Sequence, residues 1–150
     1  MIETVIAVSI ITFVFLGLFE LNRLLTAKIL TEHAAFRVER ARSVGLNDFM
    51  CRKVARVVTI PVSGRRLWPE QDEENSFDYS MELARLPAYM LSKNPAVARG
   101  ILEYEGWNTL NVEPVGGNEA RVTLGEDWFK VKGKASMENN FELYMDNSGL

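Results

Sequence analysis

The chain has 150 residues, 47% of them hydrophobic and 25% charged, with a formal net charge of −3. That length leads us to expect one domain, or a stem plus one small head once the first fifty residues are set aside. A single cysteine, Cys51, and a single histidine, His33, rule out an internal disulfide and leave no zinc-ligand set at working spacing.

The net charge hides an asymmetry. Residues 1–66 carry ten Lys/Arg against five Asp/Glu, a balance of +5, while residues 67–150 carry seven against fifteen, a balance of −8. A basic segment can bind nucleic acid, but the acidic remainder would repel a polyanion and no recognition motif accompanies the basic residues. We therefore expect no nucleic-acid partner. Attraction between the stem of one copy and the head of another is the more economical use of this asymmetry.

The opening stretch organises everything else. Thr4–Phe19, TVIAVSIITFVFLGLF, runs sixteen residues without a charge between Glu3 and Glu20. A helix apolar on every face needs lipid or protein all round it. At about 1.5 Å per residue it covers roughly 24 Å, slightly less than a hydrocarbon core of about 30 Å. It suits a membrane, and it suits equally a bundle made of many copies of itself.

From Met1 to about Met50 there is no proline, and a single long helix is expected. Its apolar half spans residues 1–20 and its amphipathic half residues 21–50. In the second half Leu21, Leu24, Leu25 and Ile29, then Ala34, Ala35, Val38, Ala41 and Val44, recur at helical spacing. The alanines leave room for another element to approach closely. Gly45 and Asn47 mark an end or a kink, since glycine readily adopts the left-handed C-cap conformation.

The head, residues 51–150, is predicted to be α+β with a small antiparallel sheet and short helices. Val54–Val62 is rich in β-branched residues and predicts a strand, which Pro61 places at a sheet edge or at the strand's end. Ser63–Ser80 predicts a loop, and its acidic cluster Asp72, Glu73 and Glu74 lacks the alternation of a calcium loop. Ser80–Lys93 has helical spacing of Met81, Leu83, Ala84, Ala88 and Leu91, which Pro87 should kink or split. Asn94–Pro95 predicts a helix start running to about Tyr104. Thr109–Val115, a Gly116–Asn118 turn and Glu119–Leu124 predict a hairpin, with further strands at Trp128–Lys134 and Phe141–Met145.

Catalysis finds no support. There is no nucleophile elbow, no phosphate-binding glycine loop and no histidine-containing catalytic set, so neither an enzyme nor a cofactor is expected. Cys51 reads as a buried thiol, and the phenylalanines at 13, 15, 19 and 36 as packing residues. A carboxylate at the end of an apolar helix is costly unless paired, and Glu3 also sits at the positive end of its own helix dipole. In a bundle, the α-amino group of a neighbouring copy would pair with it and set axial register. Exposure at a lipid interface is the alternative. Glu20 and Arg23 are spaced for an i,i+3 contact on one face.

The strongly basic segment Arg23–Arg56 would hold the head in the cytoplasm if Met1 were the initiator. A removed basic leader would reverse that orientation, so the sequence fits a mature product.

Three features together resemble type IV-class pilins, most closely the TadE-like pilins of tight-adherence systems. They are the early Glu3, the apolar run ending in Glu20–Leu21–Asn22–Arg23, and the Ala/Arg-rich AAFRVERAR at Ala34–Arg42. The resemblance covers about the first 45 residues. It implies a leader cut by a prepilin peptidase, a waiting pool in the inner membrane, and extrusion by a cytoplasmic ATPase and a platform protein into an extracellular helical filament used for surface adhesion. Family members usually carry the glutamate at the fifth mature position rather than the third. Self-assembly is expected to use Met1, Glu3, Val5, Ile6, Val8, Ile10, Phe13, Leu16, Phe19, Glu20 and Arg23. The alternative is a membrane-anchored minor pseudopilin or accessory binding protein that does not build the main filament.

Overall fold

A computed structural model describes residues 2–69, 79–115, 119–125 and 130–136. Met1, the acidic cluster at 72–74, the turn at 116–118, Trp128 and Phe129, and the strand expected at 141–145 lie outside the described residues. The architecture is α+β: one long helix followed by short helices and two small antiparallel sheets.

Helix α1 runs unbroken over Ile2–Ser43. It ends at the stop that Gly45 was expected to mark, short of Met50, because Gly45, at φ 86°, reverses the chain. The Gly45 amide donates to Arg42 O at 2.7 Å and the Leu46 amide to Ala41 O at 3.0 Å. These two bonds satisfy the carbonyls that the last turn leaves open. Asn47 then starts α2, Asp48–Val58, its side chain accepting from the Met50 amide at 2.9 Å.

The strand expected at Val54–Val62 is instead the second half of α2 followed by a 3₁₀ turn, Ile60–Val62. Burial on two sides overrides the β-branched preference. Cys51 and Ala55, one helical turn apart, enter the core beside α1, while Val57 and Ile60 pack against a separate aromatic cluster.

Part of the expected loop is a strand. β1, Arg66–Trp68, pairs antiparallel with β2, Glu103–Tyr104. Helix α3, Tyr79–Leu91, passes through Pro87 as one element rather than two. Helix α4 begins where expected, with Asn94 accepting from the Ala96 amide at 2.9 Å, but ends at Ile101 because the chain turns extended into β2. The hairpin forms as expected from β3, Asn111–Val115, and β4, Glu119–Leu124, and β5, Val131–Ser136, completes a sheet in the order β3–β4–β5.

Two cores result. In the first, Ala34, Ala35, Val38 and Ala41 of α1 meet Cys51 and Ala55 of α2 and the sheet residues Val112, Ala120 and Val122. Gly133 lies against the Thr31 and Glu32 backbone so closely that a Cβ there would clash with it. In the second, the Trp107 ring sits 5.4 Å from that of Tyr89 and 4.9 Å from that of Tyr104, with Leu102 and Ala98 around them.

Two polar devices join these layers. The buried Lys53 ammonium donates to Tyr89 O at 2.8 Å, Met90 O at 3.2 Å, Ser92 Oγ at 2.8 Å and also Ser92 O. It thereby fastens α2 to the open C-terminal carbonyls of α3, while burial lowers its pKa. The Tyr104 hydroxyl donates to Glu82, which also lies 3.6 Å from Arg66, so α3 is tied to the β1–β2 pair.

Candidate self-assembly and membrane-insertion site

Every residue from Ile2 to Arg23 is exposed. At about 1.5 Å per residue this free part of α1 is roughly 33 Å long, close to the ~30 Å of a bilayer's hydrocarbon core. The helix is long and apolar enough to cross a membrane.

Among the residues expected to mediate assembly, Met1 lies outside the described residues and all the others lie on this rod. Val5, Ile6, Val8, Ile10, Phe13, Leu16 and Phe19 are between 54% (Ile6) and 75% (Phe13) exposed, and they occupy all its faces rather than one stripe. Thirteen large apolar side chains between Ile2 and Leu21 stand open in this way. At about 1.5–3 kcal/mol for a full burial, covering them is worth on the order of 15 kcal/mol. That rivals the whole folding stability of a small domain. The rod therefore has a strong drive to be covered by lipid or protein.

Its polar groups are prepared for an apolar surrounding. Ser9 Oγ donates to Val5 O and Thr12 Oγ1 to Val8 O, both at 2.8 Å, so neither hydroxyl carries an unmet proton into hydrocarbon. Glu3 stands exposed in the first turn. Arg23 Nη1 lies 4.0 Å from Glu20 Oε2, the i,i+3 contact expected from their spacing, and both side chains remain largely exposed.

Sequence reasoning missed the place where the rod enters the head. There Glu20, Arg23, Leu24 and Ala27 face Pro61, Val62, Gly64, Leu124, Gly125 and Val131 across an open groove of about 480 Å³. Lys28 closes the junction by donating to Lys132 O at 2.7 Å while pairing with Glu32 at 3.1 Å. Leu24 and Ala27 mark this boundary in the sequence only as apolar positions. Their partners lie about 35 to 100 residues away, where no local signal points to them.

The second half of α1 behaves differently. Thr31, Ala34, Ala35, Val38, Glu39 and Ala41 are buried against the chain's own head. Glu39 enters this region with its Oε2 unpartnered. Burial raises its pKa, Arg42 pulls it back and Glu119 pushes it further up. Cys51 is buried and free, as expected, and burial raises its thiol pKa as well. His33 is exposed and accepts from Arg37 Nε at 3.4 Å. Among the described residues, no His, Cys, Asp and Glu side chains gather in threes suited to a metal ion.

No family model, curated protein or solved structure matches the chain.

Proposed function

We propose that the chain is a structural subunit of an extracellular filament of the type IV class, a TadE-like pilin. In this reading the exposed rods of many copies pack as a central apolar bundle and the α+β heads form the outer surface. One observation carries it: a continuous helix whose second half is buried in its own head and whose first half, apolar on all faces, is exposed at every position from Ile2 to Arg23. The family resemblance of residues 1–45 supports the same reading and brings with it the inner-membrane pool, the prepilin peptidase and the assembly machinery. Adhesion to surfaces follows from the family in the same way.

Glu3 is assigned the register role. Within a bundle its carboxylate is costly unless it meets a cation on a neighbouring copy, so partial misalignments are penalised. The basic second half of α1 and the acidic head supply a further attraction between copies.

The rod's free length, close to one bilayer, also suits a membrane-anchored head that never polymerises. Shearing separates the two. Full-length protein in sheared cell-surface fibres supports the filament, whereas recovery only from membranes supports the anchor. Within the filament, Glu3→Ala is expected to reduce the number of filaments counted by electron microscopy. Undiminished piliation removes Glu3 from the mechanism.

A further inference from the structure

Basic side chains gather on the head at one place. Residues 67–150 are acidic overall, yet three of their seven Lys/Arg fall within a run of five positions, as Lys130, Lys132 and Lys134. All three are exposed, on or just before β5, the strand at one edge of its sheet. Gly133 between them rests on the Thr31 and Glu32 backbone, which holds this edge against α1 where the rod leaves the head. Lys134 pairs with Glu119 at 2.8 Å, whereas Lys130 and Lys132 form no ion pair with a described residue.

These two lysines line a groove of about 410 Å³ together with Val131 and with Leu21, Leu24, Leu25 and Lys28 of α1. Leu21 and Leu25 are each 53% exposed. Apolar side chains and ammonium groups thus share one surface, and no acid is among the residues lining it. Lys28 is already committed, to Glu32 at 3.1 Å and to Lys132 O at 2.7 Å. Lys130 and Lys132 are the lining cations left open to a ligand.

Position along the rod points to the ligand. A hydrocarbon core of about 30 Å entered at Thr4 ends some twenty residues on, near Leu24. Lys28 lies roughly 6 Å further, inside a headgroup layer of about 5–8 Å. The leucines of the groove therefore meet acyl chain, and its ammonium groups meet lipid phosphate. A soluble anion would leave the leucines uncovered, and a nucleic acid would bring nothing apolar to them. A zwitterionic headgroup presents its own cation to the lysines, so an anionic one is favoured.

We propose that this groove binds an anionic phospholipid, its phosphate at Lys130 and Lys132 and an acyl chain along Leu21, Leu24 and Leu25. Such a site fixes the depth and rotation of the rod in a bilayer, because one face of the helix is tied to one headgroup. The inference rests on the rod lying in a membrane, a state common to a filament subunit before assembly and to an anchored head.

The test places the full chain in vesicles of phosphatidylcholine with a minor share of phosphatidylglycerol. The photo-crosslinking residue benzoylphenylalanine replaces Leu21 or, as a control at the opposite end of the rod, Val5, and mass spectrometry of the adducts identifies the lipid at each position. Position 21 should give phosphatidylglycerol at least about threefold above its share of the vesicle, and position 5 should match that share. Lys130→Gln combined with Lys132→Gln should return position 21 to the vesicle's proportion with an unchanged melt of the head. Arg37→Gln combined with Arg40→Gln removes the same charge from exposed positions further along α1 and should leave the enrichment intact. Adducts at position 21 in the vesicle's proportion, adducts joining two copies, enrichment that survives the lysine substitutions, or equal loss in both double variants each overturn the lipid site and leave membrane residence standing. A chain that fails to float with these vesicles overturns both.

Discussion

The two halves of α1 share one backbone and face opposite fates. Between Thr31 and Ala41 the helix is lined with alanine, threonine and valine, and its own sheet and α2 close over it. Between Ile2 and Leu21 it is lined with isoleucine, phenylalanine, leucine and valine, and nothing among the described residues covers it. Small side chains allow an intramolecular partner to come close. Large ones on every face leave no single direction from which one short chain could bury them. The difference separates what this molecule completes alone from what it leaves to lipid or to other copies.

The same substitution, glycine to valine, should have opposite consequences beside the two halves. Gly133→Val drives a side chain into the Thr31 and Glu32 backbone and is expected to cost more than about 3 kcal/mol, abolishing the cooperative melt of the head. Gly17→Val has no neighbour within 4 Å to strike and should leave the head's Tm unchanged. Circular dichroism melts in detergent measure both. Equal losses would mean that the rod, too, is packed against the head.

A smaller effect is expected at Lys53. Lys53→Met strips the α3 carbonyls of their shared donor and should destabilise the head by about 2–3 kcal/mol. Arg23→Met, at the exposed end of the rod, should cost it nothing measurable. The same melts report both.

Lys53 also illustrates what the sequence could and could not reveal. The rod, the Gly45 stop, the Asn94–Pro95 start and the β3–β4 hairpin all rest on local chemistry and were readable residue by residue. A lysine between Arg52 and Val54 reads as a solvated charge, and only the arrival of the α3 carbonyls from nearly forty residues away makes it a buried fastener. The Val54–Val62 segment misleads for a related reason: its β-branched residues serve two cores at once, which a helix allows and local propensity does not foresee. On the rod, the exposure of Val5 to Phe19 was legible because all-round hydrophobicity is a property of the segment itself. The groove at the head junction was not, because its far wall comes from distant parts of the chain.

At Glu39 the covered half of α1 carries a charge that burial penalises. A carboxyl whose pKa is raised on folding binds its proton more tightly in the native state, so its contribution to stability falls as pH rises above its ordinary value of 4.5. Glu39→Gln is therefore expected to stabilise the head by about 1 kcal/mol at pH 7. The gain should vanish as the medium is acidified through the carboxylate range. A gain independent of pH would assign it to packing instead of charge. Of similar size and opposite sign, Asn47→Ala removes the α2 cap and should cost about 1 kcal/mol.

The most direct test of the account is sedimentation of the intact 17.0 kDa chain after detergent is withdrawn. Large assemblies joined through residues 2–23, with no dissolved monomer, are the expected result. A stable population of single 17.0 kDa molecules in plain buffer would contradict it.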